Sequence, residues 1–259
     1  MSQFERSPRQ FLEFLYLLAR MELKARYKGR LFGYLGSVGA TFALAFVFWI
    51  AFKVIMRLEM DNYSVYLLAA LFPWVWMSMS VISAARGFVA NAPLLREMGL
   101  SHAILPLSNV VAEAMHFALA LPLIIAWVAV AGGYQAAYSW LWQIPLMMVL
   151  QAAFVFPIAL VCALANAFLR DIENLLGMGF LLLFFVTPMI YSVSMVPEPL
   201  RHYFELNPLH ALMESWRSVF IDKTLHAADM AYVAAFAVAG SVLAWLIYRK
   251  LAPRIGEVV

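Results

Sequence analysis

The chain has 259 residues, 65% of them hydrophobic and 13% charged, with a formal net charge of +3. Soluble domains carry about 25% charged residues, and a soluble fold of this size could not hide so much apolar surface. A water-soluble globular protein is therefore excluded, and the expected class is an all-α integral membrane protein.

Residues 8–30 predict a helix lying in the membrane surface. On a helix, Phe11, Leu15 and Leu18 share one face, flanked by Leu12, Tyr16, Ala19 and Leu23. Arg9, Glu13, Arg20, Lys24 and Arg26 fall on the polar side, the pattern of an interfacial helix. The short apolar run here is broken by Glu13 and has no small-residue cleavage site after it, which argues against a cleavable signal peptide. Apolar stretches then predict six membrane spans, at 32–56, 65–90, 104–131, 141–169, 175–191 and 230–251. A crossing helix needs about 20 residues, and the prolines inside these stretches are tolerated where neighbouring helices re-satisfy the backbone.

Two segments break this pattern. Residues 91–103 (NAPLLREMGLSHA) are too polar for lipid, yet Leu94, Leu95 and Met98 need a surface to pack on. Residues 196–220 are rich in aromatics and contain Pro197, Pro199 and Pro208, so no stretch there is long enough to cross. Two short helices dipping into the membrane fit better, 198–205 and then 208–220, the second capped by Asn207 with Pro208 in its first turn. The alternative is a loop resting on the surface. Lys and Arg set the orientation. With both ends on one side, Lys53, Arg57, Arg201, Arg217 and Lys223 lie opposite and the other thirteen of the 18 cations share that side. The positive-inside rule then places both termini in the cytoplasm.

Catalytic signals are sparse. No G-x-x-x-x-G-K-[ST] occurs, so the chain has no P-loop, and no H-E-x-x-H or paired C-x-x-C predicts a metal. The single cysteine, Cys162, excludes an intrachain disulfide framework and reads as helix packing. Glu113 and His116 form one Glu-x-x-His in the third span, either an interior polar pair or part of a substrate path. Aromatics are abundant. Phe42, Phe46 and Trp49 lie at helical spacing on the first span, and Phe180, Phe184 and Tyr191 follow a similar rhythm on the fifth. Flat rings offer weak contacts to the C–H faces of sugars. The alternative is lipid-facing packing or an interfacial belt.

Four stretches carry a resemblance: RYKGRLFGYLGS (Arg26–Ser37), LFPWVWMSMS (Leu71–Ser80) followed by NAPLLREMGLSHAILPLSNV, FLRDIENLL (Phe168–Leu176) and TPMIYSVSMVPEPLRHYFELNPLHALMESWR (Thr187–Arg217). In this order they resemble permease subunits of polysaccharide-exporting ABC transporters. Exporters of O-antigen are nearest, and those of capsule and teichoic acid are related. Gly36 and Gly39 depart from the bulkier residues common there.

The resemblance implies a homodimer in the bacterial inner membrane, working with two copies of a separate ATPase subunit that binds ATP and magnesium. The chain itself would hold no cofactor, perform no catalysis and bind no nucleic acid. Residues 91–103 would be a cytoplasmic coupling helix, with Leu94, Leu95 and Met98 packed on the ATPase and Arg96 and Glu97 at the rim. Arg26, Lys28 and Arg30 would meet the pyrophosphate of a polyprenyl-linked polysaccharide, or serve only as the positive-inside signal. Pro197, Asn207 and Pro208 would belong to re-entrant periplasmic gate helices. A small-molecule exporter and an intramembrane enzyme are the other readings.

Overall fold

The computed structural model describes residues 8–27, 33–98, 101–132 and 137–258, without the side chains of 8, 25–27, 34–35, 92–98, 132 and 255–258. Among these residues the chain forms α1 (Pro8–Tyr27), α2 (Gly33–Trp49), α3 (Tyr63–Met98), α4 (Ile104–Gly132), α5 (Trp140–Phe168), α6 (Ile172–Val186), α7 (Glu198–Glu205), α8 (Pro208–Phe220) and α9 (Ala227–Val258). A π-helical stretch, Ile50–Ile55, continues α2 without a break.

Among the described residues five helices are long and apolar enough to cross a membrane. They are not equivalent. In α3 78% of the apolar stretch is buried inside the protein, against 17% in α2 and in α9. A helix that is apolar all round and enclosed by protein is a core element, so α3 is the hub. It packs on α2, α4, α5, α6 and α8. The sixth apolar helix, α6, has 15 residues. At 1.5 Å per residue it spans about 22 Å, short of the roughly 30 Å hydrocarbon layer. The expected span 175–191 is thus corrected: the helix starts at Ile172 and stops at Val186. Thr187 is extended (ψ 134°) because it precedes Pro188. Likewise, 91–98 is not a separate helix but the continuation of α3 to Met98, and α4 begins at Ile104 after a short turn.

Interior packing is dominated by rings. Trp76 of α3 stacks on Phe117 of α4, whose ring meets Trp216 of α8. Trp216 stacks on Phe220, which meets Trp140 of α5, with centroid separations of 5.3, 5.0, 6.1 and 5.9 Å in turn. Each indole N–H finds an acceptor. Trp76 donates to the Val110 carbonyl at 3.2 Å and Trp140 to that of Val219 at 2.7 Å. Trp216 donates to the Gln151 side chain, whose amide donates onward to the Pro73 carbonyl at 2.8 Å. Hydrogen bonds between membrane helices contribute about 0.6 kcal/mol each on average. Four helices are therefore registered by one continuous file of rings rather than by any single strong contact.

α1 packs along α4, with Ala19 and Leu23 buried against Ala112 beside Val111 and Met115, while Leu15 joins the main core. This row is offset from the expected Phe11–Leu15–Leu18 face. Phe11, Leu12, Tyr16, Leu17 and Met21 remain exposed. The helix therefore has a protein face, an open apolar face and a polar face. Close approach also joins α9 to α5. Val233, Ala237 and Ala244 are buried, and a Cβ on Gly240 would lie 3.4 Å from Pro157 Cγ. Small residues at such seams let backbones come together. Gly240→Ala should keep nearly the native thermal midpoint in detergent. Gly240→Leu should lower it, by about 1–3 kcal/mol of overpacking.

Candidate functional site

Spacings of four and three residues put Phe42, Phe46 and Trp49 in one row on α2. Phe46 and Trp49 stack at 6.0 Å, and Phe42 lies edge-on to Phe72 at 5.1 Å and tilted to Trp127 of α4 at 6.3 Å. Phe42, Phe46, Trp49 and Trp127 wall a cleft of about 560 Å³ floored by Ala43, Ala45, Leu67 and Leu68, with Ser64 supplying a hydroxyl. Small alanines between large rings leave the space open.

Phe180 and Phe184 do not join this cleft. They line a second one of about 300 Å³ with Leu44, Phe48 and Trp74. Phe184 stacks on Phe48 at 5.5 Å and meets Trp74 edge-on at 5.7 Å. The α2 helix stands between the two spaces. The six aromatics expected to line one path thus divide into three groups, since Tyr191 lies in neither cleft but in the segment after α6. Trp127 and Phe48 are additions from the structure. Each is off the rhythm of its neighbouring rings, so helical spacing alone does not flag them.

That segment, 187–191, is irregular backbone between apolar elements. Its carbonyls are capped one after another. Arg217 of α8 donates from Nη2 to Pro188 O at 2.8 Å and Met189 O at 2.9 Å. Tyr63 Oη donates to Ile190 O at 3.0 Å and Tyr66 Oη to Tyr191 O at 3.0 Å. The remaining guanidinium nitrogens turn to Glu214 Oε2 at 2.9 Å and the Tyr66 carbonyl at 3.4 Å, and the cation sits 3.7 Å from the Tyr66 ring centre. Asn207 caps α8 by accepting from Leu209 N at 3.0 Å and also donates to Thr187 Oγ1 at 3.3 Å. Arg217 is 1% exposed. Counted from the sequence only as an outer-side cation on the 208–220 helix, it is an interior residue. The signal that could have found it is its company, since Trp216 and Phe220 on the same short helix are apolar anchors.

α8 is buried from Ala211 to Leu212 and Met213 and again from Ser215 to Phe220, whereas α7 has no buried residue. Pro197 precedes α7 as its N-cap and is exposed, and Pro208 opens α8. At the opposite end of α3, Arg86 pairs with Glu173 of α6. Asn166 of α5 donates to Ala85 O at 2.9 Å and accepts from Glu173 N at 3.0 Å. The backbone at Leu94, Leu95, Arg96, Glu97 and Met98 is the last two turns of α3, and their side chains lie outside the described residues. So does the Arg26 side chain, and so do Lys28 and Arg30 entirely. Glu113 and His116 are buried within the bundle, are engaged with neighbours and line neither cleft. Among the described residues no three His, Cys, Asp or Glu side chains are grouped to hold a metal.

The Arg86–Glu173 pair is partly exposed, so Arg86→Ala should cost only about 0–1 kcal/mol. Asn166→Leu should cost more, because two buried hydrogen bonds joining α3, α5 and α6 disappear at about 0.5–1.5 kcal/mol each. Thermal unfolding of both variants in one detergent checks the order.

Residues 13–221 match the family described as ABC-2 type transporter. The chain is 33% identical over 250 residues to an O-antigen export system permease protein RfbA of Klebsiella pneumoniae, covering 95% of both chains. A second protein of that name from the same organism is 32% identical over 247 residues, again with 95% of each chain covered. The protein so named in Myxococcus xanthus is 29% identical over 238 residues, covering 91% of this chain and 90% of its own.

Proposed function

The chain belongs to the ABC-2 type transporter membrane family, and from that premise we propose that it is the permease subunit that exports O-antigen as a lipid-linked polysaccharide. It is a multi-pass membrane protein and a transport subunit that works with an ATPase partner. The observation that carries the substrate reading is the likeness to O-antigen export permeases across 95% of the chain.

Finer features extend this reading. The protein sits in the bacterial inner membrane as a homodimer with two ATPase subunits, which bind the ATP and magnesium. Both termini face the cytoplasm. The Tyr63 end of α3 is then periplasmic and the Arg86 end cytoplasmic. Six crossings require α6 to count as one, with the turns and bends at 187–191 continuing its path toward the periplasmic face. The last turns of α3, with Leu94, Leu95 and Met98, seat on the ATPase, and Arg96 and Glu97 flank them. Arg26, Lys28 and Arg30 meet the pyrophosphate of a polyprenyl carrier, since clustered cations attract anionic headgroups. The row Phe42, Phe46 and Trp49, joined by Trp127, gives the polymer flat surfaces to slide on. Residues 196–220, with Pro197, Asn207 and Pro208, form the periplasmic gate.

Two outcomes test this. Replacing Leu94 and Leu95 with Asp should abolish copurification of the ATPase, and undiminished copurification would remove the coupling role. Replacing Phe42, Phe46 and Trp49 with Ala should cut surface polysaccharide while the complex still assembles. Normal export from the triple variant would remove the sliding-surface role.

A further inference from the structure

Four successive carbonyls, at Pro188, Met189, Ile190 and Tyr191, each accept a hydrogen bond from a side chain of another helix. Such stitching is not needed to end a helix. One or two caps suffice at an ordinary C-terminus. It is needed where irregular backbone lies in an apolar setting, because an unmet carbonyl there has no water to turn to. The donors come from two places: Tyr63 and Tyr66 from the first turn of α3, and Arg217 from the last turn of α8. The strap 187–191 is therefore clamped between the hub helix and the buried gate helix. Met189 and Ile190 of the strap also pack into the apolar core, and the side-chain hydrogen bonds supply the directional part of the clamp, which can be exchanged one at a time. Arg217 has an alternative partner within reach, Glu214, whose side chain is 44% exposed while that of Arg217 is 2% exposed.

We propose that Arg217, with Tyr63 and Tyr66, is a latch that keeps the outer gate shut between transport cycles by holding the 187–191 strap against α3 and α8. Arg217 is a positioning residue here and touches no substrate. Opening separates α8 from the strap. Glu214 keeps the guanidinium paired while its carbonyl partners are released, so the charge is never left alone in the bundle.

The test reads the gate without substrate. The permease–ATPase complex is reconstituted into liposomes holding carboxyfluorescein, with no ATP. The native complex should retain the dye. Tyr63→Phe/Tyr66→Phe removes only two hydroxyl groups and should release it about eightfold faster, the population shift expected for two lost interhelical hydrogen bonds. Arg217→Met should leak more, and Arg217→Lys, which keeps the charge and some donors, should fall between it and the native complex. Gly240→Leu disturbs α9 against α5 but leaves the strap capped, so it should stay tight. Tight vesicles from the assembled tyrosine double variant, or an equal leak from Gly240→Leu, would overturn the proposal.

A second arm rests on the export reading. A Thr187→Cys/Asn207→Cys pair on a Cys162→Ser background is bridged with a short bis-thiosulfonate, each cysteine thiolate forming a disulfide as a sulfinate leaves. Bridging should stop export and reduction should restore it, whereas export at the unbridged rate through a quantitatively bridged pair would overturn the latch. Absence of export even before bridging, with the dye results as expected, would count against the substrate and leave the latch standing.

Discussion

Hydrocarbon offers a peptide group nothing to bond with, and that constraint shapes this molecule more than any other. Helices meet it by themselves. The strap after α6 cannot, because Pro188 ends the helix and the chain must still travel toward α7. The solution borrows donors from elsewhere: a guanidinium and two phenols supply what the missing helical turn would have supplied. A charge buried for this purpose is stable only when nearly all its N–H groups are occupied, and those of Arg217 are shared among three carbonyls, a carboxylate and a ring face.

The same logic explains why α8 belongs to the interior and α7 does not. Three indoles and two phenyl rings make a file through α3, α4, α8 and α5, and α8 contributes its two central members. The α7 helix has no such anchors and stays at the surface. The helices at the margin, α2 and α9, keep most of their apolar surface uncovered by this chain. Lipid or a second subunit completes them, which accords with the dimeric assembly proposed above.

Much of this was legible in the sequence, for identifiable reasons. Proline and asparagine punctuate backbone directly, so the bounds Glu198–Glu205 and Pro208–Phe220 and the Asn207 cap could be read from residue type alone. Long apolar stretches mark spans because the bilayer sets their length. What stayed hidden were facts of rotation and partnership. Spacing shows that Phe42, Phe46 and Trp49 share a face of α2, but not that Phe180 and Phe184 meet the opposite one. Arg217 reads as an outer-side cation until its three carbonyl acceptors, distant in sequence, come into view. The 91–98 stretch, polar enough to look like a separate element, proved continuous with α3, the helix running on through Pro93.

The π-wound end of α2 has its own consequence. A π-helical stretch carries a surplus residue relative to an ordinary helix covering the same rise, and such bulges are frequent at functional sites. Here the surplus directly follows Trp49, and Lys53 within it reaches the Met60 carbonyl at 2.8 Å. Losing one residue between 50 and 52 would restore normal winding and swing the lysine by about 100° around the axis. The hairpin leading to Tyr63 would lose its tether. The extra residue is thus a spacer that sets where the chain turns back toward α3.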